Sequence, residues 1–219
     1  MKLLAMDTAG VDCSAAVLDA STGVVLASAT DRIGKGHAER LMAMIEDVLS
    51  SAGLGLSDLD RLAVTVGPGS FTGIRVGVAA ARGLALALKI PSVGVSTLET
   101  MAKSALRDHP GQAVIAAMDA KREEIYAQVF GPDGSALTPP AIVSLEDLQQ
   151  LADRHAARVT GTAAALLAGG LPAGEPDRFD IETVARIGAQ ANPDVARPKP
   201  LYLRGPDAKP QDGFALARA

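Results

Sequence analysis

Short apolar runs and turn chemistry alternate through residues 2–107 in an order that few folds accommodate. Lys2 to Met6, Ala15 to Leu18 and Val24 to Ala29 are apolar, parted by Gly10 to Asp12 and by Ser21 to Gly23. Runs this short with Gly, Asp and Ser between them predict a three-stranded meander. The period then changes: from Ala38 to Ala52, Leu41, Met44, Ile45, Val48, Leu49 and Ala52 recur at helical spacing, with Glu39, Glu46 and Asp47 elsewhere on the wheel. Leu62 to Val66 predicts a fourth strand, Thr72 to Leu88 a second helix, Ser92 to Val95 a fifth strand and Leu98 to Arg107 a third helix. A meander followed by alternating helices and strands makes a mixed sheet with helices on it.

His109-Pro110-Gly111 interrupts this order with three residues that do not continue a helix. Beyond it, Gln112 to Met118, Ile125 to Phe130 and Val159 to Thr160 read as strands, and Leu145 to Leu151 and Ile181 to Gln190 as helices. Ala168 to Pro176, rich in Gly and Pro, reads as loop, and the polar run after Arg204 buries too little surface to order itself. The expected division is therefore residues 1–110, a smaller lobe 111–204 and a mobile tail 205–219. The order β-β-β-α-β-α-β-α is that of an actin-like half-domain. The expected fold is α/β, two-lobed actin-like (ribonuclease H-like, ASKHA), with mixed sheets flanked by helices.

Between the fourth strand and second helix lies Gly67-Pro68-Gly69-Ser70-Phe71-Thr72-Gly73-Ile74-Arg75-Val76-Gly77. It is neither a Walker loop nor a dinucleotide fingerprint. Its glycines allow close backbone approach and the helix start offers free N–H groups, so local chemistry leaves a functional loop and a plain capped turn both open. Together with Leu4-Ala5-Met6-Asp7-Thr8, Met118-Asp119-Ala120-Lys121-Arg122-Glu123-Glu124-Ile125-Tyr126 and Pro200-Leu201-Tyr202-Leu203-Arg204, in order along the chain, the string resembles the TsaB (YeaZ) family. The resemblance implies a bacterial cytoplasmic subunit that joins its paralogue TsaD and the ATPase TsaE to place N6-threonylcarbamoyl on the adenosine beside the tRNA anticodon. Its implied role is to hold TsaD in an active arrangement, with tRNA met only through the complex and with self-pairing as a homodimer.

In actin-like ATPases the first hairpin holds phosphates, so the resemblance sets Asp7, Thr8 and Ser14, with Gly67, Gly69 and Ser70, where a nucleotide would lie. The bland alternative is a hairpin whose Asp and Thr satisfy turn amides. A complete ATP site needs a second phosphate hairpin and an adenosine motif, which residues 111–219 do not supply convincingly. The expectation is no intrinsic cofactor, with ATP or ADP confined to a subunit junction of the complex. TsaD takes its metal through histidines after the strand that follows the glycine-rich helix; here those positions are Thr97 and Met101, unsuited to a hard cation. His37, His109 and His155 lie too far apart in sequence for a paired metal motif. Ser70 is not in a Gly-x-Ser-x-Gly elbow, so no catalytic residue is assigned. The Lys121 to Glu124 quartet reads as a solvated hairpin turn.

Gly73, Gly77 and Ala81 recur every four residues on a helix apolar almost all round, which must be covered on both sides. Either the stripe admits a partner helix or it serves the sheet beneath. The family joins its subunits through these two helices, so the expected partner surface is Leu41, Met42, Ile45, Leu49, Gly73, Ile74, Gly77, Val78 and Ala81. A net charge of −4, with 3% aromatic residues and no Trp, argues against a self-sufficient nucleic-acid binder, though Arg75, Arg82 and Lys89 can contribute within a complex. The most apolar window, Ile74 to Leu88, carries two arginines and is short for a bilayer, so no membrane partner is expected. The lone Cys13 suits a reducing cytosol. The rival reading is a stand-alone actin-like ATPase or kinase acting through Asp7 and the glycine loop.

Overall fold

The computed structural model describes residues 1–167 and 177–204. Strands β1 (Lys2–Asp7), β2 (Asp12–Asp19) and β3 (Val24–Arg32) form the meander, then α1 (His37–Ser51), β4 (Arg61–Gly67), α2 (Phe71–Leu88), β5 (Ser92–Ser96) and α3 (Thr97–Asp108) follow. The five strands make one sheet in the order β3-β2-β1-β4-β5, antiparallel through the meander and parallel from β1 to β5. A short 3₁₀ turn, Leu56–Asp58, precedes β4.

The pleat of β1 explains why this sheet is covered on both faces. Leu4 and Met6 face a core with Leu41, Ile45, Val64, Ile74 and Leu98. Leu3 and Ala5 face a second core with Ala63, Val93, Ile181, Val184 and Ile187. At the edge, β3 alternates exposed and half-buried residues, as a solvated edge strand does.

The second sheet, β8-β7-β6-β9, comprises β6 (Val114–Asp119), β7 (Ile125–Phe130), β8 (Ala141–Val143) and β9 (Arg158–Thr160). On one side Leu148 of α4 (Leu145–His155) packs with Ile115, Ala127 and Val129, beside the short α5 (Ala164–Leu167). On the other, Leu98, Met101 and Ala102 of α3 pack with Val114, Ala116 and Phe130, so α3 joins the two sheets.

The strands of the second sheet begin at Val114, but the residues that follow are not confined to that sheet. Helix α6 (Ile181–Gln190) leaves the second sheet and covers the far face of the first. Gly188 makes this approach close, since a Cβ there would overlap the Ala63 methyl. Arg61 fixes the helix end by donating to the carbonyls of Gly188, Ala189 and Ala191 at 3.0–3.2 Å. An apolar face on β1, β4 and β5 needs a cover, and α6 supplies it from the far end of the chain. The loop expected over Ala168 to Pro176 and the tail 205–219 lie outside the described residues.

Candidate functional site

Asp7 and Ser14 face each other across the first hairpin. Asp7 Oδ1 accepts from Thr65 Oγ1 at 2.5 Å and from the Ala9 amide at 2.9 Å. Its Oδ2 is buried without a hydrogen-bond partner among the described residues, as are Asp12 Oδ1 and Ser14 Oγ. Burial is the main reason the Asp7 carboxyl is pushed up to about 6, with the Asp12 charge adding to it and the Thr65 bond opposing it. Thr8 Oγ1 is spent on the Gly73 carbonyl at 2.7 Å.

A strap from the second half of the chain closes this hairpin. Arg178 Nε donates to Asp12 Oδ2 at 2.6 Å, and Phe179, 4% exposed, packs on Gly10, where an added Cβ would stand 3.2 Å from its ring. Asp177 ties the strap to the second sheet by accepting from Thr162 N and Oγ1 at 2.8 and 2.6 Å; its burial raises its carboxyl pKa all the same. Asp180 caps α6 and accepts from Arg107 Nη1 at 3.0 Å. Asp7, Thr8 and Ser14 are consequently 0% exposed. Around the residues expected to face a nucleotide, the carboxylates of Asp7 and Asp12 crowd together and the strap covers the hairpin tip. A cavity of about 630 Å³ lies beside the strap, lined by Asp12, Asp108, Asp177 and Asp180 among others, with Arg178 the one cation among the described lining residues.

The glycine loop belongs to the same packing. A Cβ on Gly69 would overlap the Ala9 carbonyl oxygen, and one on Gly73 the Thr8 carbonyl oxygen. Gly67 sits at φ 101°, which favours glycine, and is buried, whereas Gly69 and Ser70 are exposed. Ser70 is the N-cap of α2, its Oγ accepting from the Gly73 amide at 3.2 Å. The loop is thus a capped turn that lets α2 lie against β1 and β4.

The expected partner stripe is corrected on the same grounds. Gly73, Ile74, Gly77, Val78 and Ala81 of α2 and Leu41, Ile45 and Leu49 of α1 are buried in the chain's own core; of the nine, Met42 alone is exposed, at 43%. Four-residue spacing of small residues cannot say which neighbour approaches, and here it is the sheet. By hydropathy 1.4 over 18 residues α2 is long and apolar enough to cross a membrane, yet this face packs on β4. Val76, Ala80, Leu84 and Leu88 of α2 are half-buried against the same core, and Phe71 and Leu86 are exposed.

The motifs that lie far apart in sequence meet in space. Arg75 stacks on Phe71 at 3.7 Å from the ring centroid and donates to Tyr202 Oη at 2.9 Å. Leu201 N donates to Val66 O at 2.8 Å, pinning the terminal motif along the glycine loop. Arg204 then reaches the hairpin turn, donating to Ala120 O at 3.0 Å and to Glu124 Oε2 at 2.8 Å. That turn carries three non-glycine residues in the left-handed region, Lys121, Arg122 and Glu123, at φ 64°, 58° and 62°. Phe71 and Tyr202, 56% and 47% exposed, were not singled out as site residues; their motifs were visible, their juxtaposition was not.

Thr97 Oγ1 donates to Pro68 O at 2.6 Å and Met101 is 8% exposed. Both side chains serve packing.

Comparison with known proteins agrees with this architecture. A family model described as TsaD, tRNA N6-adenosine threonylcarbamoyltransferase, matches residues 24–177. The tRNA threonylcarbamoyladenosine biosynthesis protein TsaB of Escherichia coli (strain K12) is 37% identical over 170 residues, 74% of this chain and 72% of that one. TsaB of Bacillus subtilis (strain 168) is 34% identical over 130 residues, 59% of this chain and 55% of that one. The structure of YeaZ from Pseudomonas aeruginosa superposes with a TM-score of 0.77 at 30% identity, covering 92% of this chain and 99% of that one. By these matches the chain belongs to the TsaB (YeaZ) family.

Proposed function

We propose that the chain is the non-catalytic, dimerising subunit of the machinery that transfers threonylcarbamoyl from threonylcarbamoyl-AMP to the adenosine beside the anticodon of tRNA, acting in the cytoplasm by holding a TsaD-type catalytic partner. The observation that carries this reading is the strapped hairpin. A nucleotide-using actin-like enzyme needs an open phosphate hairpin, and here Asp12 and Gly10 are covered by Arg178 and Phe179. This disfavours the rival of a stand-alone ATPase or kinase. Any ATP or ADP would sit at a subunit junction within the complex, outside this chain's own hairpin.

The partner surface fits the outward side of the α1 and α2 pair: Met42 on α1, with Val76, Ala80 and Leu84 on α2. Apolar residues left half-covered on two adjacent helices are suited to another helix pair, from TsaD or a second copy. The test is Met42→Glu, at a site exposed enough to tolerate charge. The variant should stay folded by circular dichroism, lose association with TsaD and fail to support transfer in a reconstituted reaction. Normal pairing and activity would place the partner surface elsewhere. In parallel, magnesium-dependent ATP binding and turnover by the isolated chain would restore the enzyme reading.

A further inference from the structure

The C-terminal end of α2 forms one wall of an open groove of about 930 Å³. Arg82 and Leu86 stand on that wall; Arg197 and Lys199 stand on the other, formed by residues 193–199, with Asp194 the one acid in the lining. This second wall is held rigidly. Ala196 O accepts from the Gly94 amide at 2.7 Å, a Cβ on Gly94 would stand 3.3 Å from Pro198 Cα, and Leu201 N is bound to Val66 O at 2.8 Å. Pro193, Pro198 and Pro200 fix φ at three positions along it.

The cations in this groove are unmatched. Arg40, Lys103, Arg107 and Arg186 each pair with a carboxylate, whereas Arg82, Arg197 and Lys199 are exposed and enter no ion pair or hydrogen bond among the described residues. Lys89, the αL C-cap of α2, is exposed on the same end of the helix. On a chain of net charge −4 this is a local reversal of sign. Leu86 and Val195, each 82% exposed, add apolar surface beside the charges.

We propose that this groove takes the phosphodiester backbone of RNA, and, resting on the function proposed above, that it is where this subunit touches tRNA held by its catalytic partner. Free phosphate would need donors converging on one point. Here the cations come from two facing walls, which suits a polyanion running between them, and guanidinium groups match phosphate oxygens with paired N–H donors. No aromatic side chain lines the groove, so it would hold the backbone without reading bases. Three or four phosphate contacts are too few for tight binding alone, consistent with tRNA being met through the complex.

The test compares the wild type with the triple variant Arg82→Gln, Arg197→Gln, Lys199→Gln, all surface changes. Fluorescence anisotropy with an unmodified tRNA transcript is run on the isolated chain at low salt and on its complex with TsaD across a salt series, with TsaD co-purification scored separately. Three lost phosphate contacts should flatten the slope of log K against log salt by about 3 and weaken isolated-chain binding at low salt by at least tenfold, with TsaD association unchanged. Equal slopes and affinities would overturn the proposal. So would a variant that loses TsaD while its own RNA binding is unaltered, which would make the groove a protein interface. If wild-type chain and TsaD fail to associate, the functional reading falls, and the isolated-chain arm still decides the groove.

Discussion

Replacing Gly73 by Ala puts a methyl where the Thr8 carbonyl already sits, with the carbonyl carbon only 3.1 Å away and Ser70 Oγ at 3.2 Å. The obstruction is buried main chain just past the end of β1, so it cannot swing aside as a flexible side chain would. Overpacking of this kind costs about 1–3 kcal/mol. Separating helix and strand also stretches the Thr8 Oγ1 to Gly73 O bond, 2.7 Å here, at about 1 kcal/mol. Against this, alanine is about 1 kcal/mol better than glycine inside a helix. The net expectation is a loss of about 1–3 kcal/mol, or Tm lower by roughly 2–12 °C for a chain of this size. Gly83, in the same helix, has nothing within 4 Å of an added Cβ, so Gly83→Ala should gain up to about 1 kcal/mol through propensity alone. Urea unfolding with equal m-values would measure both. The reasoning fails if Gly73→Ala matches or exceeds the wild type, because the small-residue stripe would then not be the seat of α2 on its own sheet.

Asp7→Asn tests the buried carboxyl. A folded pKa near 6 against 3.8 means the protonated form is favoured on folding, so this carboxyl's contribution to stability is full below about pH 4 and is lost as pH rises to about 6. At 1.36 kcal/mol per pKa unit the burial cost at neutral pH is at most about 3 kcal/mol. The Asn variant should therefore gain Tm over the wild type at pH 7.5 and not at pH 4; an equal difference at both would sink the assignment. Phe179→Ala removes a buried ring from the strap and should cost about 3–5 kcal/mol, read as a lower urea midpoint. A midpoint within 1 kcal/mol of wild type, by the same bookkeeping, would mean the strap is not packed as described.

The fold was largely legible because its signals are periodic. The alternation in the meander, the 3.6-residue period of α1 and the breaker at 109–111 each depend on neighbours in sequence. What escaped depended on distance in space. Ile181 to Gln190 shows a clear helical pattern, yet nothing in it says which sheet it covers; that follows from the two-sided burial of β1. β8 and α5 span three and four residues, too short for a period to register. The site fared worse for the same reason. Asp7, Thr8 and Ser14 were found as a hairpin, but their sealing by Arg178 and Phe179 joins residues over 160 positions apart, and the glycine stripe gives the same pattern whether helix or sheet approaches it.

The placement of α6 has a consequence for how the polypeptide emerges from the ribosome. Strands β1 to β5 are complete once Ser96 is made, but Leu3, Ala5, Ala63, Val93 and Val95 wait for Ile181, Val184 and Ile187 to cover them. At about 5–20 residues per second, that face stays open for roughly 5–20 s of synthesis. During this interval the nascent chain presents a five-stranded apolar surface with no cover of its own. Ribosome-stalled chains ending near residue 150 should therefore bind a holdase chaperone that chains ending well past residue 190 release.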